Sequence, residues 1–304
     1  MGETNKDLAY QELLLTKGDN VHISFSEYSL FNQCGHRHLL EKHLGIYQQP
    51  ASIHLFFGNS VHASIENAIK EGWNQEKTVD FFADNFSKAM MDNMKDTNEF
   101  KTMFPHFLNH GKAILETLSI DNILSEFELV SVEEPLYENI YAKFYFKGFI
   151  DLVLRHRVTK RYLILDWKTS TMAWDVSKKL SDSTFLGQMR FYKYFWGRKN
   201  NIDLEEIDCR YVVLNRLRRK TDMDSYPAPF QIVDVNSTLA EVKGSLRKMA
   251  FTVKQIHIDK TFPKIKIEKS EKMGCMFCPL KGGLHPLCDS NPEQYKSLLI
   301  EHKK

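Results

Sequence analysis

Two acidic residues stand in otherwise apolar stretches of this sequence, and a lysine follows the second of them two residues later. Asp151 lies within residues 146–154, and Asp166 and Lys168 lie within residues 162–169. Both stretches predict short β-strands, where a lone carboxylate is unfavourable unless it is paired or bound to a metal. Alternate side chains of a strand share a face, so Asp166 and Lys168 point the same way. Two carboxylates beside an ammonium group indicate metal-assisted phosphodiester hydrolysis, and an ordinary strand-edge salt bridge is the alternative.

Two predicted helices carry polar side chains that could complete such a site. His62 and Glu66 stand four residues apart in a helix predicted over 57–69, so they are adjacent on its surface. Gln188 and Tyr192 have the same spacing in an aromatic helix predicted over 184–196. For the first pair the alternative is a solvated helix face, and for the aromatic helix it is simple core packing.

A basic run follows a strand predicted over 209–215. Its members are Arg216, Arg218, Arg219 and Lys220. Such a run could grip the phosphates of a nucleic-acid strand, although a charged run is more commonly a solvated loop.

The remaining elements must position these residues. Helices are predicted over 24–34, 77–95, 99–120 and 237–257, and strands over 127–132 and 141–154. Ser24 or Ser26 is expected to cap the first helix, on which Leu30, Phe31, Cys34 and His38 would form one stripe. The short connections between the strands at 127–169 predict an antiparallel meander, and the alternation of sheet and helix predicts a mixed α/β core.

The composition is that of an ordinary globular protein. The 304 residues are 42% hydrophobic and 26% charged, with a formal net charge of +2, which neither indicates nor excludes binding of nucleic acid. No apolar run approaches the ~18 residues of a membrane-spanning helix, and the first residues are polar. We therefore expect a cytoplasmic protein without membrane association.

Cysteine spacing predicts a second metal centre. The five cysteines are Cys34, Cys209, Cys275, Cys278 and Cys288, an odd number that argues against a disulfide framework. Cys275 and Cys278 form a C-x2-C pair that Cys288 could join, so a four-ligand site needs one more residue. His285 would complete a zinc site, Cys34 would complete a four-cysteine iron–sulfur site, and Cys209 is expected to be a bystander in an apolar strand.

In order and spacing, these motifs resemble the RecB-like branch of the PD-(D/E)xK nuclease superfamily, over about residues 24–290. The similarity is greatest to the iron–sulfur members, such as the AddB nuclease domain and the nucleases of CRISPR adaptation. Gly58-x-x-x-His62 resembles the family's histidine motif, residues 148–151 its G-x-I-D strand, and residues 166–168 its D-x-K strand. Gln188-x-x-x-Tyr192 resembles its Q-x-x-x-Y helix. Cys34, Cys275, Cys278 and Cys288 match the cysteines that hold a [4Fe–4S] cluster, with a longer final gap and with Gly35 where proline is common.

The resemblance implies a restriction-endonuclease-like α/β fold with a mixed sheet flanked by helices. It predicts a flexible lead-in at 1–20 and one nuclease domain at 21–304. This domain comprises a helical region (21–125), a catalytic sheet core (126–236) and a C-terminal helix with the cysteine segment (237–304).

The resemblance also implies a function. Mg²⁺ or Mn²⁺ would be held by Asp151, Asp166, His62 and the Trp167 carbonyl, with Lys168, Gln188 and Tyr192 serving catalysis. The expected activity is that of a single-stranded DNA exonuclease with a structural iron–sulfur cluster. Because the sequence contains no G-x-x-x-x-G-K-[ST] motif, a separate helicase or recombination partner is expected if the enzyme acts processively.

Three other functions compatible with the sequence remain open. A nucleic-acid-binding scaffold could retain the nuclease fold without catalysis, although Asp151, Asp166 and Lys168 are all present. A zinc-ribbon interaction protein would use the cysteine group for its function. A nuclease of the same fold could also act on RNA instead of DNA.

Overall fold

The structure, a computed structural model, describes residues 20–45, 52–216 and 230–263 together with Cys278. Its strands are β1 (Val21–Ser24), β2 (Phe127–Tyr141), β3 (Phe144–His156), β4 (Tyr162–Ser170), β5 (Ile207–Asn215) and β6 (Phe230–Asp234). Its α-helices are α1 (Phe25–Gln33), α2 (Gly35–His38), α3 (Ile53–Glu71), α4 (Gln75–Met94), α5 (Asn98–Thr117), α6 (Ile120–Glu126), α7 (Val176–Ser181), α8 (Ser183–Asn200) and α9 (Leu239–Lys254). Short π-helical turns follow α2 and α9, at Leu39–His43 and Gln255–Asp259.

The chain divides into two compact units. The first comprises Met1–Gln49, Leu136–Gly148 and Ala240–Lys304, and the second comprises Pro50–Pro135 and Phe149–Leu239. The expected boundaries of a single nuclease domain stay a prediction.

The six strands form one mixed sheet in the order β1-β3-β4-β5-β6, with β2 paired to β3. In the first unit β1 runs parallel to β3. In the second unit β3 and β4 are antiparallel, β4 and β5 are parallel, and β5 and β6 are antiparallel. This confirms the mixed α/β class. The antiparallel pairing of β3 with β4, and the pairing of β2 with β3, agree with the meander expected over 127–169, and the parallel partners β1 and β5 lie outside that stretch.

The central position of β4 and β5 explains their apolar sequences. A strand with neighbours on both sides and helices against the sheet is buried on both faces. The five residues of β4 from 163 to 167 are all buried, and Asp166 among them is only 1% exposed. The sheet thus encloses a carboxylate instead of presenting it to solvent.

A three-helix layer packs within the second unit. Helices α3, α4 and α5 begin at the side-chain caps Ser52, Asn74 and Thr97, each of which accepts a backbone N–H. Their apolar faces join apolar residues of β3, β4 and β5 in one core cluster. The rings at its centre, Phe57, Phe82, Phe86 and Phe107, stack or meet edge to face.

The first helix is shorter than predicted. Ser24 caps α1 by accepting the N–H of Glu27 at 3.2 Å, as expected, but α1 ends at Gln33. Cys34 adopts an extended conformation (φ −161°) between α1 and α2, so the predicted single stripe through Cys34 and His38 is wrong. A Cβ atom on Gly35 would lie 2.8 Å from Cδ of Pro263, which explains why a residue without a side chain follows Cys34.

The predicted helices and strands over described residues are all present, with ends displaced by up to nine residues. The helix predicted from 57 begins at Ile53, and the strand predicted over 127–132 continues to Tyr141. Strands β1 and β6 were not predicted. Among the described residues, no helix has the length and apolar character needed to cross a membrane.

Candidate active site

Asp166 lies at the centre of the candidate site, with partners on both carboxylate oxygens. Its Oδ1 accepts a hydrogen bond of 2.9 Å from the Gln188 side-chain amide. Its Oδ2 lies 2.5 Å from Nζ of Lys168, two residues further along β4. The expectation that Asp166 and Lys168 share a face is therefore confirmed. Oδ2 is fully buried, so this ion pair is shielded from solvent on its Asp166 side.

The neighbouring strand supplies Asp151. The antiparallel register pairs Leu152 with Leu165, and continuing it by one residue places Asp151 opposite Asp166. Residues opposite each other on paired strands have their side chains on the same face. The Trp167 main-chain N–H donates a 2.8 Å hydrogen bond to Oδ2 of Asp151, and this bond fixes the Asp151 carboxylate. The Trp167 indole itself is buried in the core.

Helix α3 brings His62 to the same place. Its Nδ1 lies 3.5 Å from Oδ2 of Asp151. Gly58 precedes His62 by one turn, and a Cβ atom there would lie 3.3 Å from Oγ1 of Thr169 in β4. The glycine therefore permits the close approach of α3 to β4 that places His62 near Asp151. Glu66 forms an ion pair with Lys70, with 2.7 Å between Oε1 and Nζ.

The electrostatic environment of Asp166 favours a cation. Burial raises the pKa of Asp166 to about 6, and the negative charge of Asp151 adds to this rise while Lys168 opposes it. A single ammonium group thus leaves the carboxylate pair incompletely neutralised. Asp151, His62 and Lys168 are partly exposed, so solvent reaches the pair from their side.

Aromatic hydroxyl groups close the buried side. The Gln188 amide also donates to Oη of Tyr192 at 3.1 Å, and Oη of Tyr211 lies 3.4 Å from Oε1 of Gln188. Burial raises the pKa of Tyr192 and of Tyr211 well above the usual value, and the charge of Asp166 raises both further. Both phenols therefore stay neutral. Gln188 and Tyr192 are 8% and 5% exposed, so they lie on the buried side of Asp166. This position favours a role in holding the Asp166 carboxylate over direct contact with a phosphate.

One acidic residue near the site was missed by sequence reasoning. Glu133 in β2 is 8% exposed and has a left-handed backbone with φ of 53°. Its charge contributes to the raised pKa of Tyr192, after burial and the two aspartates. The sequence offers only a glutamate in a strand of mixed polarity, and no spacing marks it.

The donor atoms suit a hard divalent ion with few protein ligands. Among the residues that the structure describes, no group of three or more His, Cys, Asp or Glu side chains is arranged to hold a metal. Mg²⁺ usually retains several waters and takes one or two carboxylates together with substrate phosphates. The opposed aspartates, with the buried Oδ2 of Asp166, fit that requirement.

The structure buries the first residue of the predicted basic run. Arg216 immediately follows β5 and is 7% exposed, so it does not belong to a solvated run. Arg218, Arg219 and Lys220 lie outside the described residues.

Of the predicted cysteine ligands, Cys34 and Cys278 are described. Both are partly exposed free thiols, and the Arg37 N–H donates to Sγ of Cys34 at 3.4 Å. Cys275, Cys288 and His285 lie outside the described residues. Cys209 is buried in β5, where burial raises the pKa of its thiol to about 12, consistent with the expected bystander.

Comparison with protein-family models defines the class. The model described as the PD-(D/E)XK nuclease superfamily matches residues 22–282. The chain therefore belongs to the PD-(D/E)XK nuclease superfamily, and its mixed sheet flanked by helices agrees with the restriction-endonuclease-like fold.

The remaining comparisons are less informative. No curated protein matches the chain. A solved structure described as "Crystal structure of SSO0001" is similar with 14% sequence identity, covering 75% of this chain and 84% of that one with a TM-score of 0.29.

Proposed function

We propose that the protein is a metal-dependent nuclease that hydrolyses phosphodiester bonds at the site around Asp151 and Asp166. One observation carries the proposal, namely that two opposed carboxylates, one of them almost fully buried, lie beside a single lysine. A merely structural ion pair would not need the second carboxylate, which raises the pKa of the first.

Each residue of the site has an assigned role. Asp151 and Asp166 would hold Mg²⁺ or Mn²⁺, with His62 and the Trp167 carbonyl as further ligands. A bound cation supplies Lewis-acid activation of the phosphate and a water of lowered pKa. Lys168 orients the attacking water and offsets the negative charge that develops on the phosphate oxygens. Gln188 acts as a positioning residue because its amide fixes Oδ1 of Asp166, and Tyr192 supports Gln188.

We assign DNA, in single-stranded form, as the substrate and exonucleolytic cleavage as the mode of action. The motifs shared with RecB-like nucleases support this assignment. A separate helicase or recombination protein would supply unwound strands, and the expected compartment is the cytoplasm.

We also propose a structural [4Fe–4S] cluster held by Cys34, Cys275, Cys278 and Cys288. The close packing of Pro263 on Gly35 supports it, because the C-terminal segment then starts beside Cys34, twelve residues before Cys275. Anaerobic purification should give a brown protein with visible absorption and equal amounts of iron and acid-labile sulfide. Stoichiometric zinc without iron would instead assign the cysteines, with His285, to a zinc site.

Digestion of end-labelled oligonucleotides tests the function. Single- and double-stranded DNA and single-stranded RNA are incubated with Mg²⁺ or Mn²⁺ and wild-type protein, beside Asp166→Asn and Asp208→Asn. Asp208 is an exposed aspartate of β5 that pairs with Arg161, so its variant is a matched control. We expect single-stranded DNA to be shortened from an end by wild type and Asp208→Asn, and to remain intact with Asp166→Asn. Digestion by all three proteins, or by none, would reject the assigned site.

A further inference from the structure

A cavity with several polar side chains in its lining lies within the unit formed by Pro50–Pro135 and Phe149–Leu239. It is lined by His54 of α3, by Met103, His106, Phe107 and His110 of α5, and by Thr171 and Arg216 beyond the ends of β4 and β5. Its volume is about 210 Å³, the share of roughly seven water molecules in the liquid. None of these residues belongs to the site around Asp166.

Arg216 lines this cavity and is held there by contacts that do not neutralise it. Its backbone N–H donates to the Ser170 carbonyl at 2.8 Å, and one guanidinium nitrogen donates to Oγ1 of Thr171. The guanidinium carbon lies 4.3 Å from the centre of the Phe107 ring and 5.3 Å from that of Phe57. These rings fix the orientation of the guanidinium and attract its charge, but they accept no conventional hydrogen bond.

The guanidinium has unused capacity for an anion. Its buried Nε has no hydrogen-bond partner, and Arg216 has no carboxylate partner among the described residues. An unpaired buried cation is strongly unfavourable, and burial lowers the pKa of Arg216 to about 10. Residues that retain such a charge in a cavity commonly use it to bind a ligand of opposite charge.

The other polar residues of the cavity also favour an anion. Its described lining contains three histidines and no acidic residue. Burial lowers the pKa of His110, and the positive charges of Arg216 and His106 lower it further. A bound anion would offset the positive charge of Arg216 and would favour the protonated form of His110.

We propose that this cavity binds a phosphate group of a nucleic-acid strand whose cleavage occurs at the Asp166 site. The identity of the ligand rests on the proposed function, whereas its anionic character rests on Arg216 and the histidines alone. Ser170 lies four positions after Asp166 in β4, which corresponds to a distance of about 13 Å along a strand. A strand bound at both places would therefore be held a few nucleotides away from the scissile bond. The rings of Phe107 and Phe57 would keep the guanidinium aimed at the phosphate.

Binding without cleavage tests the proposal independently of nuclease activity. Fluorescence anisotropy of a labelled single-stranded oligonucleotide, with either a 5′-phosphate or a 5′-hydroxyl end, is measured in EDTA at several salt concentrations. The proteins are wild type, Arg216→Met, the double variant His106→Ala with His110→Gln, and Lys101→Ala. Lys101 is an exposed cation of the same helix outside the cavity, so its variant controls for general charge. Circular dichroism confirms that each variant is folded.

We expect Arg216→Met to weaken binding by at least about tenfold, as for the loss of a charge-assisted hydrogen bond. The slope of log K against log salt should fall by about one in this variant. The histidine double variant should show a smaller loss that grows as the pH falls, and Lys101→Ala should bind almost like wild type. A loss confined to the 5′-phosphorylated strand would assign the cavity to a terminal phosphate, and an equal loss for both strands to an internal one.

Wild-type affinity and salt slope in the folded Arg216→Met and histidine variants would overturn the proposal. If Arg216→Met does not fold, the histidine double variant alone decides between the two outcomes. A protein that binds the strand through Arg216 but cleaves nothing with Mg²⁺ or Mn²⁺ would refute the nuclease function and leave the cavity assignment intact. A protein that cleaves the strand, but whose binding does not depend on Arg216 or the histidines, would support the nuclease function and refute the cavity assignment.

Discussion

Replacing Asp166 with asparagine removes one charge from a fully buried position, and the structure predicts how this changes stability with pH. In the absence of metal, burial raises the pKa of Asp166 from 3.8 to about 6. The folded protein therefore binds a proton more tightly than the unfolded chain between these values. By linkage, Asp166 makes the native state less stable as the pH rises from 4 to 6. Above pH 6, the shift of about two pKa units lowers the free energy of unfolding by about 3 kcal/mol.

The assay is urea unfolding in EDTA at a series of pH values between 4 and 8, with wild type and Asp166→Asn compared at each pH. Other groups also titrate, among them His43 and His257, whose pKa values burial lowers to about 4 and whose effect has the opposite sign. The difference between the two proteins removes these shared contributions. As the pH rises from 4 to 7, the free energy of unfolding of the variant should increase by about 2–3 kcal/mol relative to that of wild type. Parallel stability profiles would refute the reasoning, because they would mean that Asp166 is not desolvated.

The remaining predictions concern the Gln188 contact, Lys168 and the helical core. Gln188→Leu removes the hydrogen bond to Asp166 Oδ1, which is worth about 1.5–3 kcal/mol, so the pKa of Asp166 and the acid limb of the pH–rate profile should rise by about one unit or more. Tyr192→Phe keeps that bond and should leave the acid limb almost unchanged, whereas equal shifts in both variants would contradict the positioning role. Lys168→Met should abolish cleavage of single-stranded DNA, whereas binding of the DNA, measured by anisotropy in EDTA, should persist. Retained cleavage would exclude the role assigned to Lys168. Gly111→Ala should destabilise the protein by about 1–3 kcal/mol in urea unfolding, because its Cβ would lie 2.0 Å from Cζ of Phe82. Gly244→Ala, where nothing lies within 4 Å, is the matched control and should stabilise helix α9 by about 0.5–1 kcal/mol.

The α/β class and the neighbourhood of Asp151, Asp166 and Lys168 could be predicted because they depend on local patterns. Apolar runs interrupted by one charge mark buried strands, and the two-residue period places Asp166 and Lys168 on one face. The Gly58-x-x-x-His62 motif was likewise visible in the sequence, and in the structure Gly58 lies where α3 approaches β4 closely. In each case the decisive partners are near in sequence or follow from strand pairing.

Features that depend on long-range packing could not be predicted. The four-residue β1 alternates Val21 and Ile23 with polar residues, but so short a pattern does not predict a strand by itself, and β1 is stabilised by parallel pairing with β3. The close packing of Gly35 against Pro263 joins two residues that are far apart in the sequence. The burial of Arg216 depends on rings of α3 and α5, and nothing in the sequence around Glu133 indicates its proximity to Tyr192.

The central claim is that Asp151 and Asp166 together bind the catalytic cation. Titration of the protein with Mn²⁺, followed by the loss of the free-ion signal in electron paramagnetic resonance, tests it most directly. The proteins are wild type, Asp151→Asn, Asp166→Asn and the control Asp208→Asn. We predict a Mn²⁺ site in wild type and Asp208→Asn that is lost or weakened by at least about tenfold in the other two variants. Equal Mn²⁺ binding by all four proteins would contradict the assignment of these carboxylates as the metal centre.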